Sequence, residues 1–212
     1  VASQGQWLWR QDEATYDAMV GNWDYRPDPS VLIVAIDEGS LQRIGQWPWP
    51  RSVHARLLDR LTDAGAERVA LDLMLSEPDR RDSRQDDALA AAIRRNGRVV
   101  LPVLAAPAAG DRMAEEMLPV PQIAASAAAI GHTDVEVDSD GVARGIYLHA
   151  GIGKAHWPAL GLALTGLPAG AVRGLPDPDP EVGSPYQWRR NDYVRVRYAG
   201  PPEQLSLIHI SE

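Results

Sequence analysis

The first sustained apolar stretch of the chain is Val31-Leu32-Ile33-Val34-Ala35-Ile36, a continuous β-branched run closed by Asp37. A run of this kind is the pattern of a strand buried on both faces. Residues 51–64 change the period: Val53, Leu57, Leu61 and Ala64 recur at helical spacing, with Ser52 as a plausible N-cap and Gly65 where a C′ glycine belongs. Residues 68–75 read as a second strand, and the helix between the two is long enough for a right-handed crossover, so the strands are expected to be parallel. A second helix is predicted over residues 82–96, stopped by Gly97, and a third strand over residues 99–103. This β-α-β-α-β order belongs to an α/β layer fold.

The second half is less regular. Residues 105–128 are rich in Ala and Pro and read as a long excursion with one short amphipathic helix, a natural place for a functional loop. Residues 130–137 and 141–150 flank Asp138-Ser139-Asp140-Gly141, and the Asp-Gly pair, tolerant of positive φ, predicts a β-hairpin. Residues 156–167 look helical, residues 167–185 linker-like, and residues 193–198 alternate as a half-exposed edge strand does. The fold expected is a single mixed α/β domain: a mostly parallel sheet with crossover helices, extended by the antiparallel hairpin and the late edge strand. Residues 11–20 are free of Gly and Pro and fit a helix within a Trp- and Tyr-rich segment, 1–29, that suits a membrane interface. The last ten residues, 203–212, change character abruptly and read as a non-native tail, outside the functional argument.

Composition narrows the function classes. Hydrophobic residues make up 45% and charged residues 24% of the 212, the balance of an ordinary packed domain. The formal charge of −8 repels a phosphate backbone, which disfavours nucleic acid as a partner. With no cysteine, disulfides, thiolate zinc sites and Cys nucleophiles are excluded. No Gly-x-Ser-x-Gly elbow, phosphate loop or Gly-x-Gly-x-x-Gly stands between a strand and a helix, and Lys154 is the single lysine. No cofactor is implied.

The candidate chemistry is carboxylate and aromatic. Asp37 closes the first strand, Asp72 lies near the end of the second, and Glu77 follows, so these acids are expected to share an opening beyond the carboxyl ends of the strands. One reading makes them ligands of a divalent cation in a metal-assisted hydrolase. The other makes them loop caps that pair with Arg51 or His54. His54 falls on the polar flank of its helix; His132, His149 and His156 are scattered without metal-ligand spacing, so no metal is inferred. Trp47-Pro48-Trp49-Pro50-Arg51 holds two indoles stiffly beside a guanidinium, fit either to stack a planar or sugar-like ligand or to plug the sheet end. One indole is expected to be buried and the other partly exposed. The candidate ligand-binding set is therefore Asp37, Trp47, Trp49, Arg51, His54, Asp72 and Glu77.

Set side by side, Val34-Ala35-Ile36-Asp37-Glu38-Gly39-Ser40-Leu41, Gly45-Gln46-Trp47-Pro48-Trp49-Pro50-Arg51, His54-Ala55-Arg56-Leu57-Leu58 and Leu71-Asp72-Leu73-Met74-Leu75-Ser76-Glu77-Pro78-Asp79 resemble the CHASE2 domain in order and spacing. The resemblance runs on through Asp86-Asp87-Ala88-Leu89-Ala90, Gly131-His132, Asp138 to Arg144 and Tyr198-Ala199-Gly200-Pro201, and covers residues 30–202. It implies an extracytoplasmic sensory module on the periplasmic face of a bacterial membrane, not itself an enzyme. Its partners would be a small-molecule or protein signal, together with membrane helices and a cytoplasmic cyclase or kinase of the same receptor. Where the family has Phe after the second strand's Asp, this chain has Leu73-Met74-Leu75, an apolar exchange. A dimerisation module without ligand, working as a homodimer, is the third class left open.

Overall fold

The computed structural model describes residues 15–19, 27–80, 82–106, 114–168, 170–176, 186–198 and 207–209. Two compact units result, one of residues 49–195 and one of residues 1–48 with 196–212. The mixed α/β class read from the sequence is the one observed, with a parallel and an antiparallel sheet.

In the unit of residues 49–195, helix α2 (Arg51–Asp63) leads to strand β2 (Val69–Ala70), helix α3 (Arg84–Asn96) and strand β3 (Val99–Ala106). Strand β2 pairs in parallel with β3, Val69 opposite Val99, as a crossover connection requires. Helix α2 ends in a Schellman motif: the Gly65 and Ala66 N–H groups donate to the Thr62 and Leu61 carbonyls, with Gly65 at φ +81°. Gly97, at φ +71°, stops α3 at the position expected. The start of α2 differs from expectation. Pro50 is the N-cap and makes no side-chain cap bond, while the Ser52 N–H is satisfied by Gln85 Oε1 at 3.0 Å. The buried face of α2 is also turned: His54, Ala55 and Leu58 face inward and Val53, Leu57 and Leu61 lie on its margin. The core they enter holds Leu71, Leu75, Leu89, Ile93, Val99, Leu101 and Ile123.

Beyond β3 the parallel sheet gains β5 (Ala129–His132), with Leu101 opposite Ile130, and an antiparallel strand β4 (Glu115–Met117) against residues 104–106. The short helix α4 (Pro121–Ala124) carries Ile123 into the core. The hairpin and late strand do not extend this sheet; they form a second one, β6 (Val135–Glu136), β7 (Gly145–Ile152), β8 (Trp157–Pro158) and β9 (Trp188–Arg195), all antiparallel about β7. The Asp138 to Gly141 turn forms as read, with Gly141 at φ +85°. Helix α5 (Leu160–Thr165) starts later than expected because Pro158 holds Trp157 extended and the Ala159 N–H donates to the Leu148 carbonyl. Strand β9 starts five residues early, since its polar half, Trp188 to Asp192, is held by cross-strand partners rather than by apolar alternation.

In the unit of residues 1–48 and 196–212, residues 15–19 are helical and the Tyr16 hydroxyl donates to the Val196 carbonyl. Strand β1 is only Ile33–Ala35, and it pairs in parallel with β10 (Leu207–His209), from the tail set aside on sequence grounds. The crossover pair expected of residues 31–36 and 68–75 is thus not the one formed, because β1 takes β10 as its hydrogen-bonded neighbour and β2 takes β3. Val31, Leu32, Ile33 and Ile36 are exposed, so the run is not a strand buried on both faces. Helix α1 (Glu38–Ile44), unassigned in the sequence reading, follows with Asp37 as its N-cap.

Candidate functional site

Trp49, Arg51, His54 and Glu77 come together where α2 begins. Trp49 is 3% exposed and its ring centroid lies 6.1 Å from that of His54. Arg51, fixed at the first turn of α2, donates from Nε to Asp86 Oδ1 at 3.1 Å and from an Nη to the Glu77 backbone carbonyl at 2.8 Å. Asp86 is fully buried, and its second oxygen accepts the Asp79 N–H at 2.9 Å. One carboxylate therefore ties the start of α2, the loop after residue 76 and the first turn of α3. A buried charge is tolerated only when paired and hydrogen-bonded in this way.

His54 does not occupy a polar flank; it is 1% exposed. Burial, with the Arg51 charge as a second cause, pulls its pKa down to about 4, so the ring is neutral at ordinary pH. The correction has a simple origin. Residues 54, 58 and 61 share a helix face, and His54 belongs with Leu58 rather than with Arg56 and Arg60.

Asp37 spends its carboxylate on α1, accepting the Ser40 N–H at 2.9 Å and the Ser40 hydroxyl at 2.7 Å. Trp47, joined to Pro48 by a cis peptide bond, is 46% exposed. Asp72 is exposed, and the Glu77 carboxylate pairs with Arg80 at 2.6 Å on the surface. Asp37 and Trp47 belong to one unit, Asp72 and Glu77 to the other. Among the described residues no three His, Asp or Glu side chains gather as ligands of a metal ion would.

Asp86 was missed as a site residue, although it carried a legible signal. Leu89, Ala90 and Ile93 follow it at spacings of three, four and seven, which puts the acid on the apolar face of α3 and demands a buried cation. Arg144 was missed likewise: 4% exposed, it is bound by Asp138 at 2.9 Å and Asp140 at 2.8 Å, which it clamps around the hairpin turn. These bonds and the Val142 N–H hold the Asp140 carboxyl down at about 2.

Arg51 and Asp86 join three chain segments at the Trp-Pro corner. The family model of the CHASE2 domain matches residues 1–211. No curated relative and no solved structure shows significant similarity to the chain.

Proposed function

The chain belongs to the CHASE2 family of extracytoplasmic sensory domains, and from that membership we propose that it is the signal-detecting part of a bacterial transmembrane receptor with a cytoplasmic cyclase or kinase as output. The observation that carries the reading is the family match over essentially the whole chain, not a fragment of it. CHASE2 domains are extracytoplasmic parts of membrane receptors, and no helix among the described residues is long and apolar enough to cross a membrane. The signal acts by differential affinity: it favours one of two arrangements of the domain, and the membrane helices pass that preference on.

Within the proposal the seven candidate residues divide by access. In the unit of residues 49–195, Asp72 and Glu77 present surface to a ligand or partner, whereas Trp49, Arg51 and His54 hold the backbone that displays them; in the other unit Trp47 is exposed and Asp37 caps α1. Alkaline phosphatase fused after residue 198 in the full-length receptor tests the reading. Active fusions are expected, since that enzyme matures only outside the cytoplasm, and output activity in membranes should lose its response to stimulus when residues 49–195 are deleted. Inactive fusions, with a cytoplasmic fluorescent reporter active at the same position, overturn it.

A further inference from the structure

A second polar layer lies on one face of the antiparallel sheet. His132, at the end of β5, bridges to Ala159, and Trp157 stands two residues before Ala159, so both side chains leave the same face of neighbouring strands. Trp157 is opposite Ala150, Arg190 is opposite Ala150 from the other side, and Trp188 is opposite Ile152, which puts them on that face too. Contacts agree with the register. The Trp188 ring meets His132 edge-on at 6.4 Å, and Asp134 accepts from Trp188 Nε1 at 2.8 Å and twice from Arg190.

Two donors in this layer have no hydrogen-bond partner among the described residues: His132 Nε2, on a side chain 1% exposed, and Trp157 Nε1. The His132 tautomer follows from its other nitrogen, which accepts the Asp134 N–H at 3.2 Å and leaves the ring proton on Nε2. The Tyr147 carbonyl favours a protonated ring but does not meet Nε2 in hydrogen-bond geometry. A dry unpaired N–H costs about 1–3 kcal/mol, and two on one face call for an acceptor.

The chemistry of that acceptor is narrow. Asp134 and Arg190 already neutralise each other, and burial keeps His132 uncharged, so the layer offers no counter-charge to an ion. A water accepting both N–H groups would bring two hydrogens of its own, for which Asp134, already accepting three bonds, keeps one lone pair. A carbonyl oxygen takes two donors and owes none. The indoles of Trp157 and Trp188 and the His132 ring supply flat apolar walls, and the exposed His156 ring, 4.8 Å from that of Trp157, marks the solvent side.

We propose that this face is a recessed recognition site for the carbonyl oxygen of a small neutral molecule, an amide, ester or lactone, bound by the N–H groups of His132 and Trp157. That this molecule is the signal rests on the sensor reading above.

The 212-residue chain, labelled with nitrogen-15, is titrated with benzamide, N-methylacetamide and γ-butyrolactone, with benzoate as the charged counterpart. At least one neutral compound should shift the Trp157 indole N–H saturably, the resonance being the one lost in Trp157→Phe, and benzoate should not. His132→Phe should weaken that binding about tenfold or more; it removes an unpaired donor and also the acceptor of the Asp134 N–H, so its melting temperature is taken alongside. If that variant fails to fold, Trp157→Phe, which replaces the indole by a smaller phenyl ring without an N–H, carries the same comparison by saturation transfer to the compound. No saturable shift with any neutral compound, an equal response to benzoate, or unchanged affinity in the variants overturns the site. So does a crystal structure with water or the Tyr147 carbonyl on both N–H groups. Loss of the site beside active phosphatase fusions leaves the sensor reading standing; saturable binding beside inactive fusions keeps the site and removes its sensory meaning.

Discussion

Trp47 and Trp49 are two residues apart and differ in exposure, 46% against 3%, which makes them a matched pair for testing the Trp-Pro corner. Trp49→Ala empties a core position and should cost about 3–5 kcal/mol, while Trp47→Ala should cost less than about 1 kcal/mol, both read from urea midpoints. Asp86→Ala takes the counter-charge from Arg51 and the carboxylate acceptor from the Asp79 N–H in a buried place and should cost about 3–5 kcal/mol. Glu77→Gln should stay within about 0.5 kcal/mol, because Arg51 uses the Glu77 backbone carbonyl and the carboxylate pairs only at the surface. If Glu77→Gln matches Asp86→Ala, the corner is held by its charges and not by that carbonyl. The residue types of this corner were legible, but not which indole is inside. The sequence offers the same Trp-Pro pair twice, and only the packing of α2 puts one indole inside.

At the scale of elements, stop signals transferred well because they act through local backbone geometry. Gly97 sits at φ +71° as the C-cap of α3, and a Cβ there would meet nothing closer than 3.8 Å. Gly97→Ala should therefore cost about 1–2 kcal/mol through conformation alone, seen as a lowered melting temperature with an unchanged circular dichroism spectrum. Asp37→Ala removes the cap of α1 and should cost about 1 kcal/mol. Start signals were less faithful. Ser52 looks like a cap, yet its N–H finds Gln85 on another helix, a partner 33 residues away that no local pattern reveals. The strand at residues 31–36 shows the same limit, since an apolar run specifies that a strand forms and says nothing about its neighbour.

For the whole molecule, acid is the sharpest probe. Burial holds both His54 and His132 near a pKa of about 4, below the 6.5 of an unfolded histidine. Between these values the unfolded chain binds the extra protons, so stability is full above about pH 6.5 and is lost as pH falls toward about 4, by up to roughly 3 kcal/mol for each ring. Urea midpoints taken from pH 7 to pH 4 should fall through that window, and His132→Phe should flatten the slope. A flat profile would show that the rings accept protons without opening the core. The sequence by itself determined the class of fold, the β-α-β order of residues 68–103, the Asp138 to Gly141 turn and the family, because periodicity, glycine conformation and motif spacing are local properties of the chain. Only the tertiary structure decided that His54 faces inward, that Asp86 answers Arg51, that the hairpin builds a sheet of its own, and that His132 and Trp157 keep donors unanswered among the described residues. Those outcomes depend on which faces meet, and burial, the quantity that sets the cost of every polar group, does not exist until they do.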